Sequence, residues 1–404
     1  MNEIINKILE KMPNVCKAQR KFVLNVMITI LSAHGKINFR NMSRYTTCSE
    51  KTISRQFRKP FNFPEFNNKL IAEAIQQDAE LVAAYDQTFS EKSGKKTYGL
   101  DIFWQGSESR AKKGLEVGVL GVIDLDTRTG YAISAQQTPP LSEIRKDSSC
   151  VADSRIDVHV DHINRDAKHL PPSVLYLVVD GFFYKNKFVS GIRKGCGLHV
   201  IGKARHDAHF CYLYEGEQKK RGRPRKRGEK VDFEDLSKFE LIGPVEDDSV
   251  AYSSIFYSVA LKCCVKVIVL VPEDVKKHHV ILFSTGLALP ALDILRYYKA
   301  RFQIEFVFRD SKGFTGFCDC QARTKEQLHW HFNISLAALN FAKVQDRLGK
   351  QNYCNSAFSV ASIKARYFNE NFINLIISAF GLDPNLLKSK PIFHELLNLG
   401  TISQ

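Results

Sequence analysis

The sequence predicts an α/β protein on three observations: a helical N-terminal segment, a series of strand-like segments, and a return to helical spacing near residue 290. Residues 19–67 repeat their apolar positions with a helical period, and the pattern changes to that of strands at 81–89. The run 174–180 (VLYLVVD) is apolar without alternation, which is typical of a strand buried on both faces. Helical spacing resumes after Pro290, a residue suited to a first helical turn. We therefore expect a sheet flanked in sequence by helices.

The strand-like segments form two groups. The first group leads through a helix at 154–168 to the buried run, and its strands are 81–89, 96–104, 115–125 and 130–137. The second group follows residue 190 and contains a charged loop, and its strands are 199–205, 210–214 and 250–271. Helical segments are predicted last, at 290–312, 325–349 and 356–397. The second group is expected to form a β-rich insertion.

Charge and length restrict the class of protein. The chain has 404 residues, which favours more than one folding unit, and Lys and Arg outnumber Asp and Glu by 58 to 43, a net charge of +15. Such an excess predicts a polyanionic partner, with nucleic acid first and an anionic membrane surface as the alternative. No apolar run reaches the ~18 residues that span a bilayer, and the N-terminus lacks a secretory apolar segment. We expect a cytoplasmic protein with no membrane partner.

The cysteine and histidine pairs are weak candidates for a metal site. The ten cysteines lack the C-x2-C spacing of a zinc knuckle, so we expect reduced, mostly buried thiols. The pairs His206 with His209 and His329 with His331 have no acidic or cysteine companions at ligand spacing. Trp330 is expected in the core rather than at a stacking position, because an apolar run follows it.

Residues 38–57 (NFRNMSRYTTCSEKTISRQF) have the pattern of a helix, a short turn and a second helix. Ser49 is placed to cap the second helix, from which Arg55 and Arg58 would project toward a DNA groove. The same helix pair is common in bundles that bind nothing. The surrounding Lys and Arg residues favour the DNA-binding interpretation.

Two aspartates follow apolar strands. Asp86 comes directly after LVAAY, and Asp180 ends VLYLVV. Strand ends of this kind converge at the edge of an open sheet where ligands bind, so the pair predicts a metal site. A two-metal centre needs further carboxylates, and a third acid is therefore expected from another element. The alternatives for the first carboxylate are the nearby strand residues Asp101, Asp124 and Asp126.

The predicted helix 290–312 carries one polar stripe. Its members fall within about 60° of one another at ~100° per residue, and they are Tyr298, Arg301, Glu305 and Lys312. Glu305 has apolar neighbours on both sides in sequence, and a carboxylate in such surroundings needs a partner. Glu305 is thus the candidate for the third acid.

This spacing resembles a known family signature. Tyr298-x2-Arg301-x3-Glu305-x6-Lys312 is similar to the Y-R-E-K signature of insertion-sequence DDE transposases of the IS-four-like group. The motif D-Q-T beginning at Asp86 resembles the same family's pattern. Asp86 is preferred as the first carboxylate for that reason.

The resemblance implies a domain organisation. A ribonuclease-H-like mixed-sheet core would occupy 79–190 and 283–345, interrupted by the β-rich insertion 191–282. The helical patterns and basic charge, rather than the resemblance, assign residues 1–78 to a helical, helix-turn-helix-like DNA-binding region and residues 346–404 to a helical C-terminal region. The insertion expected from the resemblance coincides with the second group of strands.

The resemblance also implies a chemistry. Three acids would hold two Mg²⁺ or Mn²⁺ ions: Asp86, Asp180 and Glu305. Three further residues would contact DNA phosphates: Tyr298, Arg301 and Lys312. Such a site would cut at terminal inverted repeats of a transposon and use the freed 3′-OH for cut-and-paste transfer into target DNA, through a hairpin intermediate in this group. A homodimer holding two ends in a synaptic complex, in a prokaryotic nucleoid, is part of the same expectation.

The segment 219–230 (KKRGRPRKRGEK) is the densest basic run. Its centre resembles an AT-hook, which lays Arg side chains into a narrow minor groove. The alternative is a phosphate-binding arm without groove specificity. Both interpretations assign DNA contacts to the same side chains: Arg221, Arg223, Arg225, Lys226 and Arg227.

Two other functions remain open from the sequence. The first is a ribonuclease-H-like nuclease or a former transposase that has lost activity, against which the intact acids argue. The second is a DNA-binding regulator without chemistry, which would use the N-terminal helix pair and the basic run alone. Removal of Asp180 or Glu305 separates the regulator from an enzyme, because only an enzyme needs them.

Overall fold

The structure is a computed structural model that describes residues 2–105, 108–144, 153–218, 221–246, 248–273, 278–350, 358–388 and 390–402. It begins with five helices: α1 (Asn2–Glu10), α2 (Lys17–Ser32), α3 (Phe39–Met42), α4 (Glu50–Gln56) and α5 (Phe63–Ala72). Side-chain caps begin three of them, because the residue before the first turn accepts a backbone N–H: Asn38, Ser49 and Asn62. The predicted cap at Ser49 is confirmed.

The first half of the sheet consists of four consecutive strands followed by two strands that helices precede. Its strands are β1 (Leu81–Glu91), β2 (Asp101–Gln105), β3 (Arg110–Asp124), β4 (Thr129–Thr138), β5 (Tyr176–Val178) and β6 (His199–Lys203). The helices between them are α6 (Leu141–Ile144), α7 (Arg155–Asp166) and α8 (Asn186–Gly195). Strands β1, β5 and β6 are parallel neighbours. Strand β3 pairs antiparallel with both β1 and β4. The parallel strands lie at the centre, where both faces are covered.

The second half comes from the segment predicted as a β-rich insertion. Its strands are β7 (Phe210–Leu213), β8 (Arg227–Lys230), β9 (Glu240–Val245), β10 (Ser249–Ser258), β11 (Cys263–Pro272) and β12 (Val280–Ser284). These strands continue the first half, since β12 pairs with β6 and β11 with β12. Across the described residues the result is one twelve-stranded mixed sheet.

In the described part of the chain after β12 there are six helices: α9 (Ala291–Ala300), α10 (Gln303–Phe314), α11 (Lys325–Lys350), α12 (Val360–Ala379), α13 (Pro384–Lys388) and α14 (Pro391–Leu397). Part of the predicted tail, 351–357, lies outside the described residues. The continuous helix predicted over 290–312 is wrong, because the chain tightens between α9 and α10. There Phe302 N–H donates to Lys299 O, and Glu305 N–H donates to Phe302 O, which are the three-residue steps of a 3₁₀ turn.

Two apolar layers cover the two faces of the sheet. Residues Val82 and Ala84 of β1 belong to the layer made with α9 and α10, and Ala83 and Tyr85 belong to the layer made with α7, α8 and the N-terminal helices. This alternation is that of a central strand buried on both sides. We call the first the α10 face and the second the α7 face. The α/β fold class, with a mixed sheet and helices at both ends of the chain, is confirmed.

Helix α11 protects the open edge of strand β4. The side chain of Asn333 bonds both backbone groups of Ala135 at 2.9 Å, and Asn340 bonds both backbone groups of Ala132 at 3.0 and 2.6 Å. Lys343 Nζ donates to Gly130 O at 2.7 Å. Buried amides thereby take the place of a neighbouring strand, which satisfies backbone groups that a bare edge leaves open.

Candidate functional site

The parallel strands bring Asp86 and Asp180 level with each other. Ala84 of β1 lies opposite Val178 of β5, and each aspartate follows its residue by two positions. Side chains two positions apart share a face, so both carboxylates belong to the α10 face. Asp86 is not at a strand end as predicted but in the middle of β1. It still lies where the parallel pairing stops, because β5 ends at Val178.

Backbone N–H groups fix both carboxylates. Asp180 begins a 3₁₀ turn over Gly181–Phe183, and its Oδ1 accepts the N–H of Phe182 at 3.0 Å. Asp86 Oδ1 accepts the N–H of Gln87 at 2.8 Å. Burial, together with the charge of Asp180, raises the pKa of Asp86 to about 7. Burial also raises the pKa of Asp180. Two carboxylates of like charge at facing positions of neighbouring strands call for a cation.

Arg301 supplies a cation to the site. Its Nη1 donates to Asp86 Oδ2 at 2.8 Å, and its Nη2 donates to Glu305 Oε1 at 3.0 Å. The Arg301 side chain is 16% exposed and that of Glu305 is 42% exposed. Because Arg301 lies at the tight turn between α9 and α10, its guanidinium reaches β1 and the next helix together. The predicted contact of Arg301 with phosphate remains a prediction, since its partners here are carboxylates.

The other two members of the predicted stripe differ in position. Tyr298 lies near Asp86, Asp180 and Arg301, whose guanidinium is 5.9 Å from its ring centroid, and burial raises its pKa. Lys312 is exposed on the last turn of α10. The structure thus brings five of the six residues together and leaves Lys312 two turns of helix away from Glu305.

The three acids fit a metal site in their chemistry but not in their present spacing. Among the described residues, no three His, Cys, Asp or Glu side chains stand close enough to hold an ion. The pair Asp86 and Asp180 offers hard oxygen donors, buried and short of positive charge, which suits Mg²⁺ or Mn²⁺. Glu305 can join them only when its ion pair with Arg301 opens. The donor chemistry of the aspartate pair fits such an ion, and the guanidinium of Arg301 contacts two of the three acids.

The rival first carboxylates have structural partners. Asp101 binds Arg155 at 2.6 Å. Asp124 accepts the N–H of Thr127 at 3.0 Å in the β3–β4 turn, and Asp126 accepts the N–H of Glu80 at 3.2 Å. These contacts close turns and join helices to the sheet, which favours Asp86 as the acid of the site.

A buried polar network, which the sequence analysis missed, lies on the α7 face behind Asp86. Tyr85 Oη is 2.9 Å from His159 Nδ1 and 3.3 Å from His162 Nδ1. His162 Nε2 is 2.8 Å from Ser134 Oγ and 3.4 Å from a carboxylate oxygen of Asp166. Burial lowers the pKa of His159 to about 3 and also lowers that of His162. The spacing H-x2-H-x3-D on α7 was the one available signal.

The helix pair predicted over 38–57 is present as α3 and α4, with only four residues in α3. Arg55 and Arg58 are both exposed. Gln327 of α11 donates to the backbone and side-chain oxygens of Ser54 at 2.8 Å, and Phe57 stacks on Trp330 at 4.2 Å. The buried, core position expected for Trp330 is confirmed. Contact of Arg55 and Arg58 with DNA remains a prediction.

The basic run forms part of a hairpin between β7 and β8. Arg221 and Arg223 are exposed in the connecting loop, and 219–220 lie outside the described residues. The guanidinium of Arg225 lies 4.6 Å from the ring centroid of Tyr214, and that of Arg227 lies 5.0 Å from the ring of Tyr257. Lys226 is exposed between them. The segment is therefore attached to the sheet at its C-terminal end.

The fold and the paired aspartates agree with a ribonuclease-H-like core. The DDE superfamily endonuclease family matches residues 12–240, more than half of the chain. The chain belongs to that family. The matched residues include both aspartates and end before Glu305. No curated protein matches the chain.

Family membership establishes the general activity. The protein is a nuclease-type enzyme of the DDE superfamily, its substrate is DNA, and enzymes of this superfamily generally use divalent metal ions. No helix within the described ranges is long and apolar enough to span a bilayer.

Proposed function

We propose that this protein is a DNA transposase of the IS-four-like group, which cuts the ends of its own element and joins them to target DNA. The convergence of Tyr298, Arg301 and Glu305 on the two aspartates carries the proposal. These three residues stand more than 100 positions from Asp180 in sequence, beyond the segment matched by the family. Arg301 joins Asp86 to Glu305, and Tyr298 lies beside the guanidinium of Arg301, which supports the Y-R-E-K interpretation.

Asp86, Asp180 and Glu305 are the proposed ligands of two Mg²⁺ or Mn²⁺ ions. When bound, the ions lower the pKa of the attacking water and stabilise the leaving 3′ oxygen. The aspartates must lose their protons to bind them, and the raised pKa of Asp86 means that ion binding releases a proton near neutral pH. Glu305 is the mobile ligand, since it is the most exposed of the three.

Arg301 exchanges partners in this proposal. It neutralises Asp86 and Glu305 until the ions arrive, and then its guanidinium becomes available to a DNA phosphate. Guanidinium groups bind carboxylates and phosphates with the same forked geometry, so one side chain serves both states. Tyr298 flanks the same position, and Lys312 is assigned a phosphate farther along the DNA.

The DNA contacts of the transposon end are proposed at two further places. The region 1–78 is the proposed end-binding unit through Arg55 and Arg58, although its helices pack on α11 in a continuous core. The second is the hairpin that carries Arg221, Arg223, Arg225, Lys226 and Arg227. The core 79–190 and 283–345, the insertion 191–282 and the C-terminal region 346–404 complete the proposed organisation. Such an enzyme works in the cytoplasm, at the nucleoid of a prokaryote.

A homodimer is proposed because two transposon ends must be held together. The stretch 371–382 (NFINLIISAFGL) contains no charged residue. Phe372, Leu375 and Phe380 are 54%, 69% and 75% exposed on and after α12. An apolar face of this kind favours association with a second copy. Replacement of Phe380 and Leu375 by Glu should convert the dimer to a monomer in light scattering, and a monomeric wild-type protein bound to end DNA would oppose the proposal.

Cleavage of the DNA that flanks its own coding sequence tests the proposed function. Purified protein is incubated with those flanks, target plasmid and Mg²⁺, and strand breaks and joined products are mapped. A transposase gives breaks at two inverted ends and products joined to target. Unspecific breaks without joining indicate a nuclease, and binding that is indifferent to Asp180→Asn and Glu305→Gln, without breaks, indicates a regulator. Either outcome overturns the proposal.

A further inference from the structure

Lys203 stands in the same row as the two aspartates. Val178 of β5 lies opposite Ile201 of β6, so the position two residues on places Lys203 opposite Asp180, as Asp180 stands opposite Asp86. Ile201 belongs to the α10 face, and Lys203 shares that face because side chains alternate. Neighbouring strands are about 4.8 Å apart, which puts the three positions within about 10 Å. Across β1, β5 and β6 the row therefore holds Asp86, Asp180 and Lys203, which are two acids followed by a cation.

A small pocket lies beside this row. It has a volume of about 350 Å³, and basic or imidazole side chains from the end of β6 and the start of β12 line it together with Gly181: Lys203, Arg205, His206, His278 and His279. The rings of His206 and His278 stack with centroids 5.6 Å apart. Within the described ranges no three such side chains form a metal site. An anion suits these walls better than a cation does.

We propose that Lys203 binds a phosphate of the DNA strand that enters the pocket beside the aspartates, and so positions that strand for cleavage. DNA is the substrate of the family, so the inference rests on the proposed function only where it takes a transposon end as that DNA. A Lys ammonium on a long side chain reaches a phosphate oxygen beyond the strand end, and it does so as a point charge. Lys203 is a positioning residue for the substrate.

The neighbouring cations are committed to other partners. Arg301 binds Asp86 and Glu305. Arg205 forms two hydrogen bonds with Asp207 at 2.9 and 3.0 Å. The ammonium of Lys185 lies 3.6 Å from the ring centroid of Phe182. Lys203 is exposed at the level of the acids and stands in the row itself, whereas Lys185, a cation whose charge also acts on Asp180, follows the end of β5.

Binding without metal gives the first test. The wild-type protein and the variants Lys203→Ala, Lys203→Arg and Lys194→Ala are titrated with end DNA in EDTA over a range of salt concentrations. Loss of one phosphate contact should reduce the slope of log K against log salt by about 0.9 in Lys203→Ala. Lys203→Arg should keep the slope. Lys194 is exposed at the end of α8, which packs on the other face, so Lys194→Ala should match the wild type.

Neutral phosphates give the second test. A series of end duplexes carries one methylphosphonate at successive positions around the cleavage site, and cleavage rates are compared. One position should slow the wild type by about tenfold to 100-fold and cause no further loss in Lys203→Ala. Equal responses of both proteins at every position, with an unchanged salt slope, overturn the inference. Failure of the wild type to cut any end would sink the transposase proposal instead, and the salt slope would still decide the role of Lys203.

Discussion

Two adjacent residues of strand β1 place a neutral polar side chain on one face of the sheet and an acidic one on the other. On the α7 face, Tyr85 joins two histidines of lowered pKa in a buried hydrogen-bonded network, in which His159 Nε2 alone of the imidazole nitrogens lacks a hydrogen-bond partner. On the α10 face, Asp86 and Asp180 hold like charges, and Arg301 is the cation that ion-pairs with Asp86. A hydrogen-bonded network whose one acid, Asp166, is paired with Arg165 contributes to stability, whereas two like charges side by side cost stability and point to a functional role. The α7 face of β1 is thus built as core, and the α10 face is where we propose the metal site.

The largest expected effect is on the α10 face. Asp180→Asn should reduce cleavage by at least about 1000-fold, because it removes one of the proposed metal ligands. The same change removes a buried like charge, so the pKa of Asp86 should fall toward its ordinary range and the free energy of unfolding in EDTA should not decrease. Cleavage rates and urea unfolding measure the two effects.

Asp101→Asn is the matched control for that variant. Asp101 is a strand residue that binds Arg155 away from the aspartate pair, so cleavage should persist and any loss should appear in stability. Comparable losses of cleavage in both variants would mean that Asp180 has no special role.

The second effect concerns the cation that offsets the pair. Arg301→Gln leaves Asp86 and Glu305 without their partner. Because Asp86 is 14% and Glu305 42% exposed, the loss should cost about 1–3 kcal/mol, between the values for exposed and for fully buried pairs. Mg²⁺ should restore more of the lost stability in Arg301→Gln than it adds to the wild type, because the ion no longer displaces a guanidinium. Thermal unfolding with and without Mg²⁺ measures this difference.

Arg296→Gln provides the comparison for Arg301. Arg296 pairs with Glu80 on an exposed part of α9, so its loss should cost less than about 1 kcal/mol and Mg²⁺ should not compensate it. Similar responses of both variants to Mg²⁺ would contradict the placement of Arg301 at the ion site.

Much of this arrangement follows from the sequence, and the rest depends on register. Asp180 could be predicted because the short, β-branched apolar run VLYLVV is typical of a buried strand that ends at this residue. Asp86 was predicted as a strand-end residue, but β1 continues past it. It lies at the end of the parallel pairing only because β5 stops at Val178. Pairing between β1 and β5 joins segments about 90 residues apart, and side-chain patterns do not encode which residues lie opposite each other.

Lys203 and Arg301 show why the site could be predicted only in part. A single Lys after HVIG gives no periodic signal, and its role appears only when β6 is placed beside β5. The stripe on 290–312 was found with a straight helix, but the tight turn at Arg301 redirects its guanidinium to Asp86. Backbone hydrogen bonds of this kind depend on packing against the sheet, which local spacing does not report.

The third effect is a pH dependence of opposite sign on the two faces. The pKa of Asp86 is raised to about 7, so its contribution to the free energy of unfolding is full at acid pH and is lost as pH rises to 7. The pKa of His159 is lowered to about 3, so its contribution is full above about 6.5 and is lost as pH falls. Between roughly pH 4 and 6.5 the two partly cancel, each with a slope of at most ~1.4 kcal/mol per pH unit.

Variants on each face should expose that cancellation. In EDTA, Asp86→Asn should lose stability more steeply than the wild type as pH falls from 6.5 to 4, since only the histidine contribution remains. His159→Gln should change the slope in the other direction. Urea unfolding at half-unit pH intervals measures both, and parallel curves for the three proteins would show that neither group has the shifted pKa described here.

The smallest effect belongs to Tyr85→Phe. The change removes the hydroxyl that contacts His159 at 2.9 Å and His162 at 3.3 Å, and it leaves the aromatic ring in place against Phe183. Each buried imidazole then lacks one partner, which should cost about 1–3 kcal/mol in the free energy of unfolding. Cleavage below the unfolding transition should stay within about threefold of the wild type, because the side chain faces away from the acids and the backbone of β1 is held by β3 and β5. A cleavage loss that approaches that of Asp180→Asn, in a protein that remains folded, would mean that the α7 face takes part in the chemistry and that the two faces of β1 are not separable.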